Sequence, residues 1–388
     1  DGTTNADISS VTFDNVTLNR GTDYTVTASF DDAGVGSGKN VTATVTLIGP
    51  AAKNYALEQS SHTTTGSITA KQVTVTITSK GGTYGSVVAA AAELSGAVAG
   101  ENIPVTLTYT GNGYDATAVP VNVGSYTVTA SIANRNYTLT GNTTAAFVIA
   151  PKAVTVSGIT AKDKVYDGTN DATLDCSNAK FDGILKNDKL TVAANGMFET
   201  AVAGKQNVAI SGLTLDGASA ANYVLAESGN QTETTATITA KEVTVTPDNK
   251  SKVYEEKDPK LTYIVSGVLS GETLKGITLA RAEGENAGEY DITGTADAGA
   301  NPNYDVTFAK GTFTIKPKSI QSATIVLGKG LAANGAEQTQ TVAKVLLVNK
   351  ELPADSYTVS GNTATAHGIY TLTVTGKGNY KDFVKWTY

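Results

Sequence analysis

The stretch ITAKQVTVTIT at residues 68–78 holds the two patterns that decide the fold of this chain. After Lys71, valine and isoleucine alternate with threonine, which places apolar side chains on one face of an extended strand and hydroxyl groups on the other. Before Lys71, an earlier Thr-rich run ends at Ile68, so one strand leads directly into the next. The same junction returns at residues 149–152, 238–241 and 315–318. A unit that repeats in this way indicates a tandem array of small modules.

The junction lysines divide the 388 residues into five segments of similar length. We predict one module for each segment, with boundaries at 1–71, 72–152, 153–241, 242–318 and 319–388. Turn dipeptides such as Asn112-Gly113 and Asp216-Gly217 separate the alternating runs. The predicted fold class is all-β (mainly β), a tandem array of small Ig-like β-sandwich or β-grasp-like modules with at most one short helix per module. Residues 86–94 are the candidate helix, whereas 337–348 are β-branched enough to predict a strand.

Composition and charge exclude several classes of protein. Cys176 is the only cysteine, so no internal disulfide can form, and we interpret this side chain as small and inert. The net charge is −7 and no run of Lys or Arg occurs, which argues against a nucleic-acid partner. The longest apolar stretch, 87–92, is too short to span a bilayer, so no membrane insertion is expected. Because the chain opens at Asp1-Gly2 without a methionine, we expect an excised fragment.

Two kinds of segment alternate along the chain. Segments one and three share an Asp-Gly turn, then a Gly-Lys pair, then an Asn-Tyr pair at closely matching spacing, and in segment three the turn is Tyr166-Asp167-Gly168. Segments two, four and five instead carry a Gly-x-Tyr motif ahead of their Asn-Tyr pair, at 124–126, 288–290 and 368–370. Segments two and four also have an exposed turn after the first strand, at 83–85 and 253–255, and in segment four Asp258-Pro259 follows it. Segment five differs from two and four because it closes on Phe383, Trp386 and Tyr388, so the order of the five segments is A-B-A-B-C.

These motifs resemble known repeat families. The Tyr-Asp-Gly segments resemble the YDG-type repeats of large bacterial surface adhesins, and segments two and four resemble the MBG repeats that commonly accompany them. The last segment is similar to bacterial Ig-like repeats. Segment two departs from the pattern, because it has Thr83-Tyr84-Gly85 and lacks the Asp-Pro pair, and segment one begins without the tyrosine. The resemblance implies secreted stalk or adhesion repeats on the bacterial cell surface and no catalytic residue.

Few residues offer catalytic or metal-binding chemistry. His62 and His367 lie in different segments, and neither has a Cys or His partner at ligand spacing, so zinc is not expected. The Gly-rich stretch 34–38 lacks the residues of a phosphate loop, and no Gly-x-Ser-x-Gly elbow occurs. We predict no catalytic, cofactor or metal site and no enzyme, and the ligand-binding residues are unknown. Three acidic clusters are interpreted as solvated loop acids, with a calcium site as the alternative: Asp31-Asp32, Asp163/Asp167/Asp171 and Glu283/Glu285/Glu289.

Tyrosines recur at equivalent places in most segments. One interpretation is a row of sugar-stacking rings; the other, which we favour, is a structural role in which the ring packs in the core and the hydroxyl binds backbone, as in a tyrosine corner. A folding residue must recur in every unit, whereas a binding residue need not. Trp386 alternates with Val384 and Tyr388 and is expected in the core as well. The recurring tyrosines are Tyr126, Tyr290 and Tyr370 after a glycine, and Tyr55, Tyr137, Tyr223, Tyr304 and Tyr380 after an asparagine.

The expected function is a non-catalytic extracellular stalk or adhesion segment of a bacterial cell-surface protein, in which a semi-rigid row of β modules presents a distal binding region. Pro151 and Pro317 stiffen two junctions. A compact module of this size is about 30 Å across, so five end to end would reach on the order of 150 Å. The alternative is a module that binds a carbohydrate or a host protein through an exposed sheet face or loops, with Tyr109 and Tyr114 as candidate contacts.

Segment one lacks a counterpart of residues 153–166 of segment three. We therefore expect segment one to expose an unpaired sheet edge, which is a known association hazard. It should be less stable than segment three, or its edge should pair with a neighbouring chain.

Overall fold

The computed structural model describes residues 1–388, and almost all of their regular structure is strand. The chain divides into two compact units. The first unit consists of Asp1–Gly158, Cys176–Ala193 and Leu213–Gln231, and the second of Ile159–Asp175, Ala194–Gly212 and Thr232–Tyr388. The boundary between the units passes through segment three, so the five-module division stays a prediction. The five segments are used below as sequence ranges.

Segment one forms a single antiparallel sheet in the order β1-β2-β3, so β3 is an edge strand. Its elements are β1 (Tyr24–Phe30), β2 (Gly36–Leu47), α1 (Ala51–Asn54) and β3 (Ser61–Ile68).

Segment two forms two sheets, in the orders β6-β5-β12-β10-β8-β9 and β11-β4-β7. The alternation at residues 73–78 is confirmed, because Val73 and Val75 of β4 are buried while Thr74, Thr76 and Thr78 are exposed. Ile77 of β4 packs on the core of the other sheet, where Tyr109, Tyr126 and Phe147 lie. The elements are β4 (Lys71–Thr78), β5 (Gly81–Thr83), β6 (Ser86–Val88), β7 (Ala91–Ser95), β8 (Val105–Gly111), β9 (Tyr114–Ala116), β10 (Gly124–Ile132), β11 (Tyr137–Gly141) and β12 (Thr144–Ala150).

Segment three forms the sheets β18-β13-β21, β14-β17 and β15-β22-β20-β19-β16. Its elements are β13 (Lys152–Ser157), β14 (Thr160–Ala161), β15 (Lys164–Val165), β16 (Asp171–Ala172), β17 (Leu174–Asp175), β18 (Lys180–Asp182), β19 (Thr191–Phe198), β20 (Gly204–Asp216), a 3₁₀ turn (Ala220–Asn222), β21 (Tyr223–Leu225) and β22 (Glu233–Thr239).

Segment four forms the sheets β25-β23-β28 and β24-β29-β27-β26. Ile292, Phe313 and Ile315 are fully buried on the second of them. Its strands are β23 (Lys241–Pro247), β24 (Lys250–Val253), β25 (Tyr263–Ser266), β26 (Ile277–Arg281), β27 (Gly288–Ala296), β28 (Tyr304–Phe308) and β29 (Gly311–Lys316).

Segment five forms four small sheets, in the orders β30-β38, β31-β33-β34, β32-β36 and β35-β37-β39. Ile325 and Val345 of one sheet share a single buried cluster with Leu372 and Val374 of another, as in a β-sandwich. Its elements are β30 (Lys318–Ser319), β31 (Thr324–Leu327), β32 (Gln338–Thr339), β33 (Val342–Leu347), β34 (Lys350–Glu351), a 3₁₀ turn (Ala354–Ser356), β35 (Tyr357–Ser360), β36 (Thr363–Ala364), β37 (Thr371–Gly376), β38 (Tyr380–Lys381) and β39 (Phe383–Thr387).

The predicted all-β fold is confirmed, but the candidate helix at 86–94 is wrong. These residues form β6 and β7, which pair with β5 and β4 respectively. Alanine favours helix only weakly, and a short isolated helix is marginal in water, so pairing with neighbouring strands decides the conformation. The strand prediction at 337–348 is confirmed as β32 and β33.

Candidate functional site: the joints between segments

An Asn-Tyr pair of the later segment contacts the earlier segment at each of the four segment boundaries. The asparagine Oδ1 accepts a hydrogen bond from a backbone N–H of the earlier segment in every case. We call these contacts joints one to four. The donor–acceptor pairs are Val35 to Asn136 (2.9 Å), Val123 to Asn222 (3.0 Å), Ala203 to Asn303 (2.9 Å) and Ala287 to Asn379 (2.6 Å). Joints one and two lie within the first unit and joints three and four within the second.

Three of the four junction lysines pair through their backbone with the joint asparagine. The N–H of Lys71, Lys241 and Lys318 donates to the carbonyl oxygen of the joint asparagine, at 2.9 Å each time. The first strand of the later segment then runs parallel to the strand that starts at the tyrosine, as β4 does beside β11 and β23 beside β28. The repeated junction and the repeated Asn-Tyr pair are thus two parts of one structure.

The joint tyrosines are buried, and their hydroxyl groups are fully used in the first three joints. Each hydroxyl oxygen accepts a backbone N–H and donates to a carboxylate, which satisfies a buried phenol. The accepted N–H groups belong to Val98, Leu185 and Leu269, at 3.2, 2.9 and 3.1 Å. The bonds to carboxylates join Tyr137 to Glu101 (2.6 Å), Tyr223 to Asp188 (2.5 Å) and Tyr304 to Glu272 (2.6 Å).

A tyrosine of the earlier segment packs edge-on against the joint tyrosine in joints two, three and four. The ring centroids of Tyr84 and Tyr223 lie 5.4 Å apart, and those of Tyr166 and Tyr304 lie 5.5 Å apart. Tyr254 packs in the same way on Tyr380, at 5.5 Å. Such aromatic pairs contribute about 0.5–1.5 kcal/mol beyond the burial of their area.

In joints two and three, one carboxylate binds both rings: in joint two, Asp188 accepts from Tyr223 and also from Tyr84, at 3.4 Å. In joint three, Glu272 accepts from Tyr304 and also from Tyr166, at 2.8 Å, so one acid binds both segments. In joint four the acid comes from the earlier segment, where Glu255 forms ion pairs with Lys318, at 2.8 Å, and with Lys350. Lys318 is one of the junction lysines, so here its side chain as well as its backbone serves the joint.

The hydrogen bonds to Glu272 shift pKa values in joint three. Hydrogen bonds from Tyr304 and then Tyr166 lower the pKa of Glu272 below its usual value of 4.5. The pKa of Tyr166 is raised by Glu272 and by burial, and that of Tyr304 is raised by burial and by Glu272. The arrangement favours an ionised carboxylate between two neutral phenols.

Acid is therefore expected to weaken joint three. Since the pKa of Glu272 is lower in the folded chain, its contribution to the free energy of unfolding is present above pH 4.5 and is lost as the pH falls through the folded pKa. Glu272→Gln should reduce this acid-dependent loss of stability. The measurement is urea unfolding between pH 3 and 7, followed by hydrogen exchange in segments three and four. The matched control, Glu289→Gln, changes an exposed acid outside any ion pair and should keep the wild-type pH dependence. An identical pH profile for Glu272→Gln and wild type would contradict the assignment.

The tyrosines that follow a glycine fix the backbone of the loops before them. The hydroxyls of Tyr126, Tyr290 and Tyr370 each donate to the backbone carbonyl four residues earlier, at 2.8 Å. In two of these corners the accepting residues are Asn122 and Asn286, directly before the N–H groups that donate to joints two and four. The predicted bond from hydroxyl to backbone is confirmed for these tyrosines and for the buried Tyr137, Tyr223 and Tyr304, whereas for Tyr380 only the burial of the ring is confirmed.

Two aromatic predictions are wrong. Tyr55 belongs to an Asn-Tyr pair but is 50% exposed, because it lies between α1 and β3, outside any strand. Trp386 was expected in the core and is 41% exposed, because it lies on the edge strand β39. Val384 on the same strand and Tyr388, directly after it, do pack against the core of segment five.

The members of the three acidic clusters have different partners in the structure. Asp32 pairs with Lys39, at 2.6 Å, while its neighbour Asp31 is exposed. Asp167 pairs with Lys164 at 2.8 Å and accepts the Thr169 N–H, which together lower its pKa to about 2.

The other members of these clusters also lie apart. Asp163 accepts the N–H of Thr237, and Asp171 lies in β16. Glu285 pairs with Lys252 and Arg281, which also hold Asp258, whereas Glu283 and Glu289 are exposed. No group of three or more His, Cys, Asp or Glu side chains is placed to hold a metal ion. Cys176 is a free, half-buried cysteine that follows β17.

The two histidines line two separate surface pockets. His62 is on β3 and lines a groove of segment one, and His367 lines a cavity of about 360 Å³ in segment five. That cavity also includes Leu331, Tyr370 and Tyr388, and it adjoins the corner loop that ends at Tyr370. No helix of the structure is both long enough and apolar enough to cross a membrane.

Comparison with known proteins agrees with the motifs. The family model of the YDG domain matches residues 1–66 and 150–236, and that of the MBG domain (YGX type) matches residues 243–314. These matches support a repeat protein of YDG and MBG type. Neither family is known for enzymes, which supports a non-catalytic protein. The MBG resemblance of segment two and the Ig-like resemblance of segment five stay predictions.

Among solved structures, the chain is similar to the three N-terminal domains of the bacteriophage RB49 highly immunogenic outer capsid protein (Hoc). The identity is 11%, the match covers 94% of this chain and 96% of that one, and the TM-score is 0.14. A likeness at that TM-score carries no argument about fold or function. No curated protein matches the chain.

Proposed function

We propose that this chain is a non-catalytic extracellular stalk or adhesion segment of a bacterial cell-surface protein. In this function, a row of β modules holds a distal binding region away from the cell. The observation that carries the proposal is the recurrence of one joint at all four boundaries, with the same asparagine acceptor and the same backbone donor. A chain that had only to fold five times would not need the same contact at every boundary.

The connections between segments leave little slack. One residue separates β12 from β13, β22 from β23 and β29 from β30, and two separate β3 from β4. Pro151 and Pro317 are two of these connecting residues, and proline fixes its own φ. A short, hydrogen-bonded connection limits the angles that two neighbouring segments can adopt, which is what a stalk requires.

Solution scattering of the full chain tests the proposal. We expect a maximum dimension on the order of 150 Å, from five units of about 30 Å each. A much shorter particle would overturn the stalk proposal. Tyr304→Ala disrupts joint three, and its scattering is compared with that of the wild-type chain. Tyr55→Ala is the matched control.

A binding module is the second candidate, and the cavity of segment five favours it. Its lining combines the rings of Tyr370 and Tyr388 with polar side chains such as Gln338, a mixture typical of ligand sites. The sheet-face contacts expected from the sequence are weaker candidates. Tyr109 is only 2% exposed and its hydroxyl accepts the Ala90 N–H, so it cannot stack on a sugar. Tyr114 is half-buried, with its hydroxyl bonded to the Ala118 carbonyl.

A glycan array with the full chain separates the two candidates. Binding that is lost in Tyr388→Ala but kept in Tyr114→Ala would support a ligand site in segment five. The absence of binding to any glycan would leave the stalk proposal as the better account.

A further inference from the structure

Segments two, three and four each place a short strand at the edge of the sheet that contains their first strand. The first strand lies parallel to the strand of the Asn-Tyr pair on one side and antiparallel to this edge strand on the other. A glycine with a positive φ follows each edge strand, at Gly96, Gly183 and Gly267. The three edge strands, β7, β18 and β25, are therefore structural equivalents whose side chains can be compared.

The strand pairing identifies one equivalent position in all three edge strands. In each segment, this position lies opposite the residue that is five places after the junction lysine. The opposed pairs are Thr76 with Glu93, Ser157 with Lys180 and Thr246 with Ile264. A charged side chain on an edge strand prevents pairing with another chain. Segments two and three have such a charge at this position, whereas segment four has isoleucine.

Strand β25 exposes apolar side chains on both of its faces. Ile264 is 64% exposed, and Tyr263 and Val265 on the opposite face are each 38% exposed. Residues 262–266 contain no charged side chain. An apolar, uncharged edge strand is a template for pairing with a further strand.

The backbone of β25 directs hydrogen-bonding groups to this open edge. The N–H of Asp248 donates to the Thr262 carbonyl, so these two residues form a hydrogen-bonded pair at the end of the β23–β25 ladder. Because hydrogen-bonded and non-hydrogen-bonded pairs alternate along an antiparallel ladder, Ile264 bonds to β23. Tyr263 and Val265 therefore direct their N–H and C=O groups away from β23, to the open side.

We propose that β25 pairs antiparallel with β25 of a second copy of this chain, about a two-fold axis at Ile264. This register places Tyr263 of each copy opposite Val265 of the other, and the groups on the open side then exchange N–H···O bonds in both pairs. An aromatic residue opposite a β-branched one is a favourable cross-strand pair. Ile264 meets its own copy across the axis, so the contact is self-complementary, as a two-fold interface requires.

Charge explains why β25, rather than its equivalents, is the strand that self-associates. The same axis in β7 would place Glu93 opposite Glu93, and in β18 it would place Lys180 opposite Lys180. Like charges directly opposite one another destabilise a strand pair, and β25 has none. A contact this small is weak, so the dimer should form only at high protein concentration. The inference goes beyond the stalk proposal and does not depend on it, since it concerns the association of two chains rather than the shape of one.

Sedimentation of the full chain from micromolar to millimolar concentration tests the proposal. We expect a reversible equilibrium between monomer and dimer, measured with a reductant present so that Cys176 cannot link two chains. Hydrogen exchange at Tyr263 and Val265 should slow as the concentration rises, while exchange at Ile264 stays constant because its N–H already bonds to β23. A chain that stays monomeric at millimolar concentration would overturn the proposal. Association that leaves exchange at Tyr263 and Val265 unchanged would overturn it as well.

Ile264→Lys gives β25 a charge of the kind that β18 carries at the equivalent position. It places two lysines opposite each other in the dimer and should weaken association by at least about tenfold. The side chain is largely exposed, so segment four should stay folded, which its exchange pattern verifies. The matched control is Val88→Lys, which changes a 51% exposed valine on another edge strand, β6, and should leave association unchanged. Equal effects of the two substitutions, or wild-type association in Ile264→Lys, would contradict the assignment to β25.

Discussion

Tyr304→Ala is expected to destabilise the boundary between segments three and four by about 3–5 kcal/mol, the usual cost of truncating a buried aromatic side chain. Tyr304 is 9% exposed and belongs to a buried cluster that includes Phe198 and Ile238 of segment three. The substitution removes the edge-on contact with Tyr166 and leaves the Leu269 N–H without its acceptor. Because the cluster contains residues of both segments, both should lose stability together.

The chain supplies matched controls for this substitution. Tyr304→Phe keeps the ring but loses the hydroxyl bonds to Leu269 and Glu272, so we expect a smaller loss of about 1–3 kcal/mol. Tyr55→Ala changes an exposed tyrosine in the same Asn-Tyr context and should stay within about 0.5 kcal/mol of wild type. Urea unfolding followed by hydrogen exchange in each segment measures all three. A loss in Tyr304→Ala no larger than in Tyr55→Ala would contradict the role of the joint.

Gly81→Ala is expected to cost about 2–5 kcal/mol, from a left-handed backbone at a non-glycine residue together with overpacking. Gly81 has φ +60°, and a Cβ atom there would lie 2.1 Å from the backbone oxygen of Val148. Strand β5 must therefore move away from β12. That pairing also positions Tyr84, whose N–H donates to the Ala150 carbonyl, so the aromatic contact of joint two should weaken as well.

Gly113→Ala separates the two causes. Gly113 also has a positive φ, of +75°, but no atom lies within 4 Å of its added Cβ. This variant should lose only the backbone contribution, about 1–2 kcal/mol. Thermal unfolding, with hydrogen exchange in segment two, compares the stability of Gly81→Ala and Gly113→Ala. Equal losses at the two glycines would show that the approach of Val148 is unimportant.

The sequence predicts the strands of this protein well because their periodicity is local. Alternation of Val and Thr at 73–78 requires no knowledge of distant residues, and neither does the strand at 337–348. The helix predicted at 86–94 failed for the opposite reason. Its alanines are compatible with either conformation, and pairing with β4 and β5 decides between them.

The joints could be predicted only in part. The recurrence of the Asn-Tyr pair is visible in the sequence, and it correctly indicates a structural role for the tyrosine. The partner of the asparagine is not visible, because the donating N–H lies 92 to 101 residues away and is a backbone group that any residue possesses. A weak signal did exist for the carboxylates, since Glu101, Asp188 and Glu272 precede their tyrosines by 36, 35 and 32 residues.

The central claim is that the joint holds two neighbouring segments in one orientation. Spin labels at Thr235→Cys in β22 and Thr278→Cys in β26 measure this orientation directly. Both are exposed strand positions, one in segment three and one in segment four. The labels are attached in a Cys176→Ser background, which removes the native cysteine. Double electron–electron resonance should give a single narrow distance distribution in this chain, which broadens in Tyr304→Ala and stays narrow in Tyr55→Ala. A broad distribution with the joint intact would contradict the account.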